Sequence, residues 1–128
     1  MLAVMQGGVI VMTDIQFYTI FSAALKSQNR DAFISDWALS GIWDDDLDAN
    51  VPNERIDEIE RIWDVAHMTI FDIRQRTGLS QAKFATRFCI PCRSVENWES
   101  GTFACPAYLR LLLAQATGVY KRRYGRAK

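Results

Sequence analysis

The strongest constraint on this chain lies between residues 77 and 101, where a helical period of apolar residues is interrupted once and then resumes. Ser80 is a natural N-cap for a helix that begins at Gln81. Pro91 then interrupts the period, because proline has no N–H and disfavours helix at the residue before it. Proline also suits a first helical turn, so a second helix is expected from about Cys92 to Glu99, ending before Gly101. The segment predicts two short helices joined by a tight turn.

The inward positions of these two helices indicate a helix-turn-helix. Phe84, Ala85 and Phe88 recur on one face of the first helix, and Ala85 is small enough for a close crossing. Val95 and Trp98 are the expected core positions of the second helix. A second helix whose exposed polar residues cluster near its N-terminus is what reading of the DNA major groove requires. These outward residues are Cys92, Arg93, Ser94, Glu96 and Asn97.

The two halves of the chain carry opposite charge, although the net charge is zero. Residues 1–66 hold twelve acidic and four basic side chains, a balance of −8. Residues 67–128 hold three acidic and eleven basic side chains, a balance of +8. The predicted helix-turn-helix lies in the basic half, as phosphate binding would require. The alternative is two surfaces of opposite sign that attract each other within one fold.

The rest of the chain is also predicted to be helical, which makes the fold class all-α. A capping box at Thr13 predicts a helix over about 14–26, a second helix begins at 29 or 30, and a third begins near Asn53. Further helices are expected over about 69–76 and from Pro106 towards Gly118. The period places Phe71, Tyr108 and Leu112 inward and His67 in a buried junction. On the third helix it places these charged side chains outward: Arg55, Asp57, Glu58, Glu60 and Arg61.

Three segments are expected: an acidic helical extension (1–52), a helix-turn-helix domain (53–120) and a basic tail (121–128). Asp44, Asp45, Asp46 and Asp48 suggest a solvated linker, since a calcium loop needs a glycine and a terminal glutamate that are missing. Residues 1–11 are interpreted as non-native sequence before a start at Met12, or as a flexible arm. The extension carries large apolar side chains that a two-helix hairpin cannot bury, so they are expected to pack on the basic domain or to form a dimer interface. They are Phe17, Phe21, Leu25, Phe33, Ile34 and Trp37.

The remaining chemistry of the sequence is sparse. Cys89, Cys92, Cys105 and His67 are residue types of a zinc site, but their spacing matches no common zinc module, and the alternative is small, mostly buried thiols. No nucleophile–base arrangement, phosphate-binding glycine loop or zinc-protease motif is present, so we expect neither an enzyme nor a cofactor. With no segment of about 20 apolar residues and no secretory signal, the cysteines indicate a cytoplasmic protein.

The two short helices predicted between residues 77 and 101 resemble part of a known protein family. Residues 68 to about 120 resemble the Cro-type (XRE-family) helix-turn-helix domain of phage repressors and bacterial regulators. The matching frame is Thr77-Gly-Leu-Ser-Gln-x-x-Phe-Ala-x-x-Phe-x-Ile-Pro-x-Arg-Ser-Val-x-Asn-Trp-Glu-x-Gly101. The resemblance implies a compact lambda-repressor-like bundle of four or five helices whose third helix enters the major groove. It departs from the family at Cys89, where the family often has a left-handed glycine.

The resemblance also implies roles for individual residues. Cys92, Arg93 and Asn97 occupy base-reading positions, and Gln81 would hold a phosphate. Arg93 could instead pair with Glu96 or Glu99, Asn97 could bond the backbone, and Glu96 could be solvated or read cytosine. Further phosphate contacts are expected from Ser94, Ser100 and Thr102, and from Lys83 and Arg87 of the basic half.

The expected function is sequence-specific binding of double-stranded DNA, most simply as a homodimeric transcriptional repressor of bacterial or phage type. The alternative is an antitoxin-like or adaptor protein whose acidic N-terminal region, within residues 14–52, binds a partner protein.

Overall fold

The computed structural model describes residues 12–43 and 53–122. The expectations for residues 1–11, for the acidic linker and for most of the basic tail lie outside these residues. Within them the chain forms helices and no strand, which confirms the all-α class. The α-helices are α1 (Asp14–Lys26), α2 (Arg30–Ala38), α3 (Asn53–Ala66), α4 (Ile70–Thr77), α5 (Gln81–Arg87), α6 (Cys92–Ser100) and α7 (Ala107–Ala116), and a 3-10 turn spans Gly41–Trp43.

Several helices begin where side-chain caps in the sequence place them. The Thr13 hydroxyl accepts the Gln16 N–H at 3.0 Å, and the Gln16 side chain accepts the Thr13 N–H at 2.9 Å. Thr69 and Asp72 form the same reciprocal pair at the start of α4. Such caps satisfy N–H groups that have no partner inside the helix, which is why they fix helix starts so well.

The described residues group into two compact units. The first unit comprises residues 12–43, residues 53–67 and Arg122, and the second comprises Met68–Lys121. Helix α3 therefore belongs with α1 and α2, both of which pack on it, and not with the helix-turn-helix as the predicted boundary at residue 53 implied. Sequence composition could not show this, because it does not reveal which helices pack together.

The core of the first unit is formed where α1 and α2 pack on α3. Phe17, Phe21 and Phe33 are buried, and Ile59 and Ile62 of α3 are fully enclosed. Three helices thus bury apolar side chains that a hairpin of two could not. The phenylalanines therefore have a core within this unit, while Leu25, Ile34 and Trp37 are half-buried in it, and the expected dimer interface stays a prediction.

Two charged side chains of α3 are buried, contrary to the prediction that they face solvent. Arg55 is 5% exposed and Glu58 is 1% exposed. The Arg55 guanidinium lies 4.5 Å from the centre of the Trp43 ring and donates to the Ala38 carbonyl at 3.2 Å. Glu58 accepts a hydrogen bond from Arg61 at 2.5 Å. The helical period of apolar residues does not predict this burial, because the contacts with Trp43, the Ala38 carbonyl and Arg61 offset part of the cost of removing these charged groups from water.

Contacts between distant parts of the chain complete the first unit. Arg122 donates to Asp14 Oδ1 at 3.0 Å and lies 4.4 Å from the centre of the Phe17 ring. His67 is exposed, not buried as predicted. Its ring stacks on Trp63 with the two ring centres 3.9 Å apart, and its Nε2 lies 2.8 Å from the Ala24 carbonyl oxygen. The flat face of Trp63 holds the imidazole without enclosing it.

The second unit packs α4, α5, α6 and α7 around Phe84 and Val95, both fully buried. Phe71, Tyr108 and Leu112 are exposed, whereas the helical period predicted them to face inward. On α7 the buried pair is Leu113 and Ala114, so the inward face is rotated by about one residue from the predicted stripe. Trp98 is only half-buried, although its spacing from Val95 predicted a core residue.

Candidate nucleic-acid interface

The turn between α5 and α6 is closed by backbone hydrogen bonds. The Cys89 N–H donates to the Thr86 carbonyl at 3.3 Å, and the Ile90 N–H donates to the Ala85 carbonyl at 2.9 Å. This double pattern is the Schellman motif, which ends a helix and turns the chain sharply. Pro91 follows in an extended conformation, and α6 begins at the next residue. The predicted pair of short helices joined by a tight turn is confirmed.

Cys89 occupies the left-handed position of this motif. Its φ is +57°, and among the described residues no other non-glycine residue has a positive φ. A β-carbon in this conformation approaches the following carbonyl oxygen, a clash that glycine avoids. The turn keeps the geometry that glycine would adopt, so the cysteine is strained and the path of the chain into α6 is preserved.

The far end of α6 is held by a buried ion pair that sequence reasoning did not assign. Glu99 accepts hydrogen bonds from Nε and Nη2 of Arg74 on α4, at 2.6 and 2.8 Å. It also accepts the side-chain amide of Gln81 at 3.0 Å, and Arg74 donates to the Leu79 carbonyl at 3.0 Å. The Arg74 and Glu99 side chains are only 13% and 8% exposed. The network ties α4, the start of α5 and the end of α6 into one arrangement.

This network also changes the acidity of Glu99. The hydrogen bonds from Arg74 hold the pKa of its carboxyl below the ordinary value of 4.5, although burial acts in the opposite direction. No sequence signal could have found the pair, because its members lie 25 positions apart on two helices. The pair joins α4 to the end of α6, and the cost of removing its two charges from water offsets much of its contribution to the free energy of unfolding.

Two of the three candidate base contacts, Arg93 and Asn97, lie on the side of α6 away from buried Val95, whereas Cys92, three residues before Val95, lies nearer the buried side than predicted. The Arg93 side chain is 81% exposed, and Cys92 and Asn97 are half-buried. Arg93 and Asn97 are four residues apart, so they are neighbours on the helix surface. The alternative of an ion pair between Arg93 and Glu96 is present as a long contact, with Nε 3.7 Å from Oε1.

The candidate phosphate contacts fall into three groups. Lys83 and Arg87 are exposed and share one face of α5. The Ser100 and Thr102 hydroxyls are exposed at the end of α6 and lie 2.9 Å apart, while Ser94 is half-buried. Gln81 differs from all of these, because its side-chain amide already donates to Glu99. Its role in the structure is to link α5 to α6, which leaves its amide less available to a phosphate.

The charge of the second unit favours an anionic partner. Residues 68–121 contain seven basic and three acidic side chains. Glu99 is neutralised by Arg74, and Asp72 caps α4 by accepting the Thr69 N–H. Glu96 is therefore the remaining acid, and it lies on the outward side of α6 with its side chain half exposed.

The cysteines do not form a metal cluster in the part of the chain that the structure describes, where no three His, Cys, Asp or Glu side chains come together as metal ligands. Cys89 is exposed, so the interpretation of the thiols as mostly buried does not hold for it. Burial raises the pKa of the half-buried Cys105 thiol to about 11, which keeps it protonated at neutral pH. Among the helices of residues 12–43 and 53–122, none has the length and apolar character needed to cross a membrane.

Comparison with known proteins adds no family to these observations. No protein-family model, no curated protein and no solved structure matches the chain. The candidate interface is thus defined by its own residues: the turn closed at Cys89, the anchor formed by Arg74 and Glu99, and the outward side of α6 that carries Arg93.

Proposed function

We propose that this chain binds double-stranded DNA sequence-specifically, with α6 in the major groove. The observation that carries the proposal is the contrast between the two sides of α6. One side buries Val95, and the other exposes Arg93 on a helix whose far end is anchored by Arg74 and Glu99. A helix fixed in this way can hold a guanidinium against O6 and N7 of guanine, a contact that discriminates by about 1–3 kcal/mol.

The other candidate contact residues would contribute either to selectivity for a base sequence or to affinity for DNA of any sequence. Asn97 is suited to N6 and N7 of adenine, and Cys92 lies at the start of the same helix. Lys83 and Arg87 would supply affinity through phosphate contacts that carry no sequence information, as would the Ser100 and Thr102 hydroxyls.

The biological role that fits this activity is a cytoplasmic transcriptional repressor without catalytic function. Two copies would place their α6 helices in successive major grooves, about 34 Å apart on a pseudo-palindromic site. The second unit exposes Phe103, Tyr108 and Leu112, and large exposed apolar side chains often mark a protein contact. These residues are better candidates for the contact between copies than the buried phenylalanines of α1 and α2.

Selection of bound sequences from random duplex DNA tests the proposal. We expect the full chain to enrich a sequence, and Arg93→Ala to relax the preference at one base pair while leaving the fold intact. Arg76→Ala is the matched control, because it removes the same charge from an exposed position on α4. Failure of the full chain to enrich any sequence would refute specific DNA binding.

A second candidate is an adaptor function of the first unit, and one observation favours it. Ile15, Tyr18 and Leu39 are exposed there, in a unit whose α3 also exposes Glu54 and Asp57. Such a surface suits a partner with apolar and basic side chains. The same selection separates the two functions, because an adaptor enriches no DNA sequence and loses nothing when Arg93 is replaced.

A further inference from the structure

Glu96 is the outward acid of α6, and its carboxylate touches two candidate base contacts at once. Its Oε1 lies 3.7 Å from Nε of Arg93, and its Oε2 lies 3.8 Å from Sγ of Cys92. The Glu96 side chain is 50% exposed, so the carboxylate stays in contact with solvent. The thiol donates to one oxygen and the guanidinium attracts the other, which holds the carboxylate between them.

Stability does not explain this arrangement. An exposed ion pair three residues apart on a helix contributes little to the free energy of unfolding. A negative charge on the side of a helix that faces DNA also opposes binding to phosphates. Glu96 is therefore unfavourable for affinity and nearly neutral for folding, so its effect must be sought in discrimination between DNA sequences.

The geometry of the contact indicates how discrimination arises. The guanidinium carries five N–H donors in a rigid plane. When Nε faces Glu96, the edge formed by the two Nη groups points away from the carboxylate and remains available for the two acceptors of guanine. Without Glu96, the same flexible side chain could turn towards the nearest phosphate, a contact that is the same in every sequence.

We infer that Glu96 is a specificity-determining residue that positions Arg93 for guanine and penalises phosphate contacts in unmatched DNA. The inference rests on the proposed function and adds to it a repulsion between the Glu96 carboxylate and the phosphates of unmatched DNA. Specificity is a difference between two affinities, and a charge that disfavours the wrong complex raises it as effectively as a new contact in the right one.

Glu96→Gln in the full chain tests the inference, since it keeps the shape of the side chain and removes the charge. The readouts are sequence selection from random duplexes, and affinity for the selected duplex and for a scrambled duplex of equal length. We expect Glu96→Gln to relax the same base pair as Arg93→Ala and to bind the scrambled duplex roughly two- to fivefold more tightly. Glu54→Gln, which removes an exposed acid from α3, is the control and should change neither readout.

Glu96→Asp separates the positioning of Arg93 from the repulsion of phosphates. The shorter side chain keeps the charge but withdraws it from Arg93, so the base-pair preference should relax while affinity for the scrambled duplex stays at the wild-type value. Thermal melting of each variant checks that the fold is retained.

The possible outcomes are distinguishable. If Glu96→Gln keeps the wild-type base-pair preference and the wild-type ratio of affinities for the selected and scrambled duplexes, the inference is overturned while specific DNA binding stands. A change at a base pair that Arg93→Ala does not affect would also overturn it, because Glu96 would then read a base directly, through N4 of cytosine. If the wild-type chain enriches no sequence, the proposed function fails and the inference fails with it.

Discussion

The two units of this protein differ in the exposure of their arginines. In the first unit, Arg30 pairs with Asp64, Arg55 lies against Trp43, and Arg122 bonds Asp14 and covers Phe17. In the second unit, Arg74 is likewise paired with Glu99, but Arg76, Arg87 and Arg93 are exposed. Arginines of the first kind stabilise the fold, whereas those of the second kind are available to a ligand. The difference shows that the position of basic side chains, and not their number, distinguishes a structural region from a candidate binding region.

The largest expected effect concerns the core of the second unit. Phe84→Ala should lower the free energy of unfolding by about 3–5 kcal/mol, because the ring is fully buried and its loss leaves a cavity. Chemical denaturation measures the change. Trp98→Ala should cost less than Phe84→Ala, since Trp98 is half-buried, and exposed Phe71→Ala should cost least. An equal loss at Phe71 would contradict the burial described for α4.

The next effect concerns the anchor of α6. Glu99→Gln should cost about 2 kcal/mol at neutral pH, because it weakens hydrogen bonds made to a charged group and leaves Arg74 without its counter-ion. Glu96→Gln is the matched control, and its effect on stability should be small since the side chain is half exposed. Similar losses in the two variants would show that the network with Arg74 does not hold α6.

The same pair predicts a pH dependence. Because the pKa of Glu99 is lower in the folded chain than its ordinary value of 4.5, the stabilisation is fully present above that value. It is lost as the pH falls below 4.5 and through the folded pKa. Unfolding free energies from pH 7 to 3 should therefore show the wild type and Glu99→Gln converging at low pH. A gap that stays constant over this range would contradict the ionised pair.

The contrast between the arginines can be tested by measuring both stability and DNA binding for one arginine variant from each unit. Arg122→Ala should lower the stability of the protein by about 1 kcal/mol, through the lost contacts with Asp14 and Phe17. Arg87→Ala should leave stability unchanged, weaken binding to all DNA sequences about equally and lower the salt slope by about 1. If Arg122→Ala weakens DNA binding and Arg87→Ala destabilises the fold, the division between the two units is wrong.

The smallest expected effect is a gain in stability. Cys89→Gly should raise the free energy of unfolding by about 0.5–1 kcal/mol, since glycine adopts the left-handed conformation without strain. Cys89→Ala keeps the β-carbon and serves as the control, with no expected gain. A destabilised glycine variant would show that the thiol makes a contact that outweighs the strain.

The sequence was most informative where structure is decided locally. The capping boxes at Thr13 and Thr69, the N-cap at Ser80 and the break at Pro91 placed helix ends to within about a residue of the structure. Each of these depends on contacts between residues a few positions apart, which a sequence displays directly.

The sequence was least informative where distant residues meet. It could not associate α3 with α1 and α2, nor show that Arg55 is buried against Trp43. The same limit applies to the candidate site: its outward residues follow from helical phase, but the pairing of Arg74 with Glu99 does not. That pairing is what turns an exposed helix into one held at a fixed angle.

Chemical-shift mapping by NMR tests the central claim most directly, because it reports on both units of the full chain in one titration with duplex DNA. If α6 reads DNA, the largest changes occur from Cys92 to Thr102 and at Lys83 and Arg87, and residues 14–38 and 53–66 change little. Changes concentrated in α1, α2 and α3, or no saturable change at low salt, would contradict the assignment of DNA binding to the second unit.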